Sequence, residues 1–91
     1  MLRLRYSAAS KEDFKEIAGF IAKDKPVAAR RWVEKIREKC RLAAKHSDIG
    51  ELRRDLGEGI RSTYVGSYII YFREREGMLE IVRSDLEVPF L

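Results

Sequence analysis

Residues 59–73 read Gly59-Ile60-Arg61-Ser62-Thr63-Tyr64-Val65-Gly66-Ser67-Tyr68-Ile69-Ile70-Tyr71-Phe72-Arg73. Two runs rich in β-branched and aromatic residues flank a Gly-Ser pair, the signature of two strands joined by a two-residue type II′ turn. The first strand is expected from Ile60 to Val65. The second, Tyr68 to Phe72, is apolar on both faces, which marks a central strand with something packed on each side. Glu74-Arg75-Glu76-Gly77 then turns the chain into a third strand, Met78 to Ser84.

Upstream of this meander the periodicity changes. Leu2, Leu4 and Tyr6 alternate with Arg3 and Arg5, a short strand with one buried face. Phe14, Ile17, Ala18 and Ile21 recur at helical spacing, predicting an amphipathic helix over Ser10 to Lys23. Ser7 or Ser10 can cap it, and Ser10 with Asp13 three residues on forms an approximate capping box. Pro26 suits the first turn of a second helix, Val27 to Lys45, built on Ala29, Trp32, Val33, Ile36, Cys40 and Ala43. The short break between them implies an antiparallel helical hairpin. The outer stripe of Arg30, Glu34, Arg37, Arg41 and Lys45 reads most simply as solvated. Glu51 to Glu58 is polar and reads as a loop.

The resulting order is β-α-α-β-β-β, an α+β domain with an antiparallel sheet carrying a helical hairpin on one face. Its 91 residues fit a single core. Hydrophobic residues at 45% and charged residues at 37% make the chain globular, not disordered. Twelve arginines outnumber seven lysines at a formal charge of +4, and arginine's planar fork suits carboxylate or phosphate. Cys40 is the only cysteine, so no internal disulfide forms and a reducing cytoplasm is expected. No secretory leader is expected at the N-terminus, and no apolar run approaches the ~20 residues of a membrane helix. One His and one Cys make a metal site unexpected, and no cofactor is expected.

Three groups of residues add identity to this pattern. Pro26 with Ala28-Ala29-Arg30-Arg31 opens the second helix. Ile49-Gly50 is followed by Arg53, Leu56-Gly57 and Gly59-Ile60-Arg61-Ser62. Gly66-x-Tyr68-Ile69-Ile70-Tyr71-Phe72-Arg73 leads to Glu80-Ile81-Val82-Arg83. Together they resemble the ParE/RelE superfamily of bacterial toxins, on the ParE side, over about residues 1–83. The chain then departs from the family. Relatives continue into a hydrophobic-His-Gly-x-Arg-Asp segment, whereas Arg83 here is followed by Ser84-Asp85-Leu86-Glu87-Val88-Pro89-Phe90-Leu91. His46-Ser47 also stands where relatives often carry an aromatic and a proline.

The resemblance implies a single toxin domain over 1–91 with an atypical tail, 84–91. It also implies a ParD-like antitoxin as partner, DNA gyrase as target, and operator DNA reached only through the antitoxin. Arg53, Arg54, Arg61 and Arg83 are the candidate target-binding residues. Arg61 and Arg83 lie in strands that the fold can bring to one sheet face, and the alternative pairs the arginines with Asp55, Glu51 and Glu58. Trp32, Tyr64, Tyr68 and Tyr71 are candidate antitoxin anchors, or core. The rival implied by the RelE branch is a ribosome-dependent endoribonuclease. That chemistry needs a base, an acid and cations to hold phosphate. Glu51 and Tyr71 are the available base and acid, while the usual C-terminal Tyr or His is missing. No catalytic residue is therefore assigned. A third reading keeps the fold as a non-toxic, antitoxin-binding co-repressor.

Overall fold

The computed structural model describes residues 1–86. The elements are β1 (Arg3–Tyr6), α1 (Ala8–Asp24), α2 (Pro26–Lys45), β2 (Glu51–Leu52), β3 (Arg61–Val65), β4 (Tyr68–Arg75) and β5 (Met78–Leu86). The sheet order is β1-β5-β4-β3-β2, with β4 central as its two-sided apolar sequence requires. The meander pairs are antiparallel, but β1 runs parallel to β5, so the sheet is mixed. The segment expected as pure loop contributes β2, whose two residues pair with Arg61 and Ser62. The last strand runs past Ser84 to Leu86. The tail residues 87–91 lie outside the described part.

Local chemistry sets the boundaries. Ser7, not Ser10, caps α1: its hydroxyl accepts the Ser10 N–H at 3.0 Å, and the Ser10 hydroxyl donates back to the Ser7 carbonyl at 2.9 Å. Asp13 takes no part in this cap. Lys25 separates the helices, and Pro26 occupies the first turn of α2, where its missing N–H costs nothing. Gly66 has φ +60 and Ser67 is not left-handed, the combination expected of the type II′ turn.

The helical hairpin packs on one side of the sheet only. Ile70, Phe72, Leu79 and Ile81 are almost fully buried beneath Trp32, Ile36, Cys40, Ala43 and Ala44. Each such large apolar side chain contributes about 1.5–3 kcal/mol by leaving water. A chain of edge-to-face rings ties four elements together. Tyr6 meets Phe14 at 5.9 Å between centroids, Phe14 meets Trp32 at 6.1 Å, and Trp32 meets Tyr68 at 5.2 Å. On the side away from the helices, Ile69 is buried and Tyr71 and Arg73 are half-buried.

Where β1 leaves the sheet after Tyr6, the start of α1 takes over the exposed edge of β5. Ser7 N–H donates to the Ile81 carbonyl at 3.0 Å and the Ser7 hydroxyl to the Val82 carbonyl at 2.6 Å. Six residues later Asp13 Oδ2 accepts the Ser84 N–H at 3.0 Å. The Ser7 backbone and the Ser7 and Asp13 side chains thus satisfy strand groups along this edge.

Candidate functional site

The strand register brings one candidate constellation to the face that the helices leave uncovered. Glu51 pairs with Ser62, Ser62 with Tyr71, and Tyr71 with Arg83, so the four form one rung across β2, β3, β4 and β5. Residues directly opposite one another share a face. Sequence reasoning named Glu51, Tyr71 and Arg83 separately but had no means of aligning them. The Ser62 side chain is buried, and its hydroxyl has no hydrogen-bond partner among the described residues.

The expectation that Arg61 and Arg83 share a sheet face is overturned. Arg61 pairs with Phe72 and Arg83 with Tyr71, consecutive residues of β4 that point to opposite sides. Strict alternation from Leu79 and Ile81 would have kept Arg83 on the core side. A bulge intervenes: Phe72 faces Ile81 and Tyr71 faces Arg83, which leaves Val82 as the extra residue and reverses the alternation after it.

Three of the four candidate arginines are engaged. Arg53 sends Nε and Nη2 to the two Asp55 oxygens, both at 3.2 Å, and its guanidinium lies 5.8 Å from the Tyr71 ring centroid. That hydrogen bond holds the Asp55 carboxyl below its usual range. Arg61 donates to the Asp48 carbonyl at 3.2 Å and the Gly50 carbonyl at 3.5 Å. Gly50, at φ +78, passes so close to the Ser62 carbonyl that a side chain there would collide with backbone. Arg83 binds Asp13 through two bonds, 2.8 and 3.1 Å long. Burial alone would raise the Asp13 carboxyl, but the Arg83 hydrogen bonds, the Ser84 N–H and the Arg83 charge outweigh it and hold it low. Arg54 is exposed and in no ion pair with the described residues. Of the pairings anticipated from sequence, only Arg53–Asp55 forms; Asp13, not Glu51 or Glu58, answers Arg83.

The four aromatic candidates divide between two places. Trp32 is buried and belongs to the core with half-buried Tyr68 packed against it, while Trp32 Nε1 has no hydrogen-bond partner among the described residues. Tyr64 and Tyr71 lie on the uncovered face, opposite Ile69 and Ser62 in register. Tyr64 is 42% exposed and Tyr71 is half-buried.

A concavity of about 500 Å³ was not foreseen. It opens at the edge where β1 meets both helices. Its apolar floor is Leu4, Phe14, Trp32, Val33 and Ile36, and its charged lining is wholly basic: Lys11, Arg37 and Arg41. None of these three cations is in an ion pair with the described residues. The sequence shows the apolar stripe and the basic stripe separately; only the angle between α1, α2 and β1 reveals that they border one gap. No group of three His, Cys, Asp or Glu side chains suited to a metal ion exists among the described residues. No helix there is long and apolar enough to cross a membrane.

Comparison with known proteins follows the same lines. Residues 4–83 match the family model of the ParE toxin of type II toxin–antitoxin system, parDE. Among solved structures, the chain is similar to one from the chromosomal ParDE system of P. aeruginosa. The TM-score is 0.81 at 20% identity, covering 97% of this chain and 98% of that one. It is also similar to a chain of the toxin–antitoxin complex RelBE2 from Mycobacterium tuberculosis. There the TM-score is 0.65 at 18% identity, covering 97% and 93% of the two chains. At these identities the likeness establishes the shared fold. No curated protein matches the sequence.

Proposed function

Because this chain belongs to the ParE toxin family of type II toxin–antitoxin systems, we propose that it acts by binding DNA gyrase and is neutralised by a ParD-like antitoxin. On this reading it stabilises gyrase-cleaved DNA and is a binding poison, not a catalyst. The observation that carries the reading over a nuclease is the engagement of three of its four candidate arginines. A ribonuclease must grip a scissile phosphate with free cations. Here Arg83 is held by Asp13, Arg53 by Asp55, and Arg61 by two backbone carbonyls.

The basic-rimmed apolar groove beside β1 is the proposed seat of the antitoxin. An acidic segment carrying apolar side chains would match both its floor and its Lys11, Arg37 and Arg41 rim. Tyr64 and Tyr71, named from the sequence as antitoxin anchors, lie on the opposite face and are here proposed instead for the target, together with Arg54 and Arg53.

One observation favours a second reading. The Glu51–Ser62–Tyr71–Arg83 rung aligns a carboxylate, a phenol and a guanidinium on one face, which are the group types of a RelE-like endoribonuclease. Parallel assays separate the two. Loss of gyrase supercoiling activity with intact mRNA supports the gyrase reading. Codon-dependent cuts on ribosome-engaged mRNA, abolished by Tyr71→Phe, replace it with the nuclease. Inertness in both assays with tight antitoxin binding leaves the non-toxic co-repressor.

A further inference from the structure

The charge of this chain is concentrated on one element. Helix α2 carries seven Lys and Arg against two Glu, so it holds more than the whole formal excess of +4 and the remainder is slightly acidic. The described residues form four ion pairs, through Arg5, Arg53, Arg73 and Arg83, and none involves α2. Its cations therefore point a largely uncompensated field at solvent. The mixed-sign stripe read from the sequence as solvated forms no ion pair among the described residues.

Two flanks of α2 differ. Arg37 and Arg41 border the apolar groove described above. On the other flank Arg31, Lys35 and Lys39 recur at i, i+4 and i+8, so they form one ridge about 12 Å long. Arg31 and Lys35 are exposed, and Lys39 is half-buried. Lys35 and Lys39 border a shallow depression shared with Glu38, Leu42, Tyr64 and the Gly66 turn. Leu42 and Tyr64 give this flank some exposed apolar surface, but the larger apolar floor that would anchor a protein partner lies on the groove flank. Glu34 and Glu38 border this line at i+3 spacing, yet the ridge stays net positive. A row of cations on a rigid helix suits a partner with regularly repeated negative charge.

We propose that the Arg31–Lys35–Lys39 ridge of α2 is a phosphate-binding face that takes the backbone of duplex DNA. The choice of duplex DNA among polyanions rests on the gyrase reading, in which DNA is part of the target complex. The family resemblance implies operator DNA contact only through the antitoxin; α2 gives the toxin chain a route of its own to duplex DNA. Such contacts position without reading sequence, so base recognition stays with the partner.

The test is fluorescence anisotropy of the isolated protein with a labelled duplex of arbitrary sequence, repeated across salt. Three phosphate contacts give a log–log slope of about −2.7, an affinity loss of about 40-fold between 50 and 200 mM salt. The triple variant Arg31→Gln/Lys35→Gln/Lys39→Gln should abolish most of that slope. A charge-matched control, Arg3→Gln/Lys15→Gln/Arg75→Gln, should keep it. Absence of duplex binding at 50 mM salt, an equal effect of both triples, or clear preference for single-stranded RNA each overturns the proposal. Gyrase is absent from the assay, so failure here leaves the gyrase reading standing, and a failed gyrase assay leaves this result readable.

Discussion

The Asp13 carboxylate of α1 holds Arg83 of β5 by two bonds, Nη2 to Oδ1 at 2.8 Å and Nε to Oδ2 at 3.1 Å, across 70 residues of sequence. The same Oδ2 accepts the Ser84 N–H, so one side chain closes the sheet edge and restrains a candidate target-binding arginine. Removing the carboxylate orphans the Ser84 N–H and leaves Arg83 without its partner. Asp13→Ala should lower stability by about 1–3 kcal/mol, the cost of an unsatisfied buried group. Arg83→Ala should cost less, because the guanidinium side chain is largely exposed. Urea titration of the two single variants and the double variant measures the coupling.

Acid should act through the same carboxylate. Asp13 is held below its ordinary range in the fold, so its contribution is complete above about pH 4, the unfolded value. It is then lost as pH falls through the folded pKa. Asp13→Asn should flatten the decline in stability below about pH 4, measured as denaturation midpoint against pH. An unchanged acid profile would show that other carboxylates govern it.

The alkaline limb should report on Tyr6 and Cys40. Burial pushes the Tyr6 hydroxyl from 10.0 to about 12, assisted by the neighbouring thiol. Burial likewise pushes the Cys40 thiol from 9.0 to about 11. Both are raised, so their contribution is full below their unfolded values and is lost as pH rises through the folded ones. Tyr6→Phe should soften the loss of stability between about pH 10 and 12. Thermal midpoints across that range check it.

Antitoxin affinity should depend on the groove beside β1. A segment that fills the groove and continues over the surface around it, burying ~500 Å² of apolar surface in all at ~25 cal/mol per Å², gives gross stabilisation of order 10 kcal/mol before ordering costs. Affinity should therefore be high and only partly sensitive to salt, because apolar burial is not screened. Reversing the rim with Arg37→Glu/Arg41→Glu should weaken binding by about tenfold to a hundredfold, mostly through slower association. Calorimetry against a ParD-like antitoxin tests this; equal affinity for both proteins would place the antitoxin elsewhere.

The unusual tail should weaken target inhibition. Arg83 lies in the field of Asp13, Asp85 and Glu16, so the end of the described chain partly neutralises its own cation. Rebuilding the tail toward the family's His- and Arg-bearing segment should raise gyrase inhibition and leave antitoxin affinity nearly unchanged. Ser84 must be kept, since its hydroxyl donates to the Ile69 carbonyl at 3.0 Å and its N–H to Asp13. Equal potency of native and rebuilt tails would show the tail to be neutral.

Local patterns carried most of the fold. The Gly66-Ser67 pair between two β-rich runs defined the meander, and helical spacing around Trp32 and Ile36 defined the hairpin. What escaped was long-range or subtle. Nothing local says that β1 will return beside β5 in parallel, because that pairing joins segments about 75 residues apart. A two-residue β2 leaves too short a pattern to see. The Val82 bulge has no sequence marker, yet it decides which face Arg83 occupies. Asp13 looked like a first-turn cap, and only the folded edge of β5 shows its partner. The candidate arginines were visible as types; their engagement was not.

The most direct measurement is the amount of linear plasmid DNA released by denaturant after gyrase, ATP and this protein are incubated together. The account predicts that linear DNA rises with toxin concentration, that a ParD-like antitoxin suppresses it, and that mRNA on translating ribosomes stays intact under the same conditions. Unchanged gyrase products beside specific mRNA cuts would contradict it.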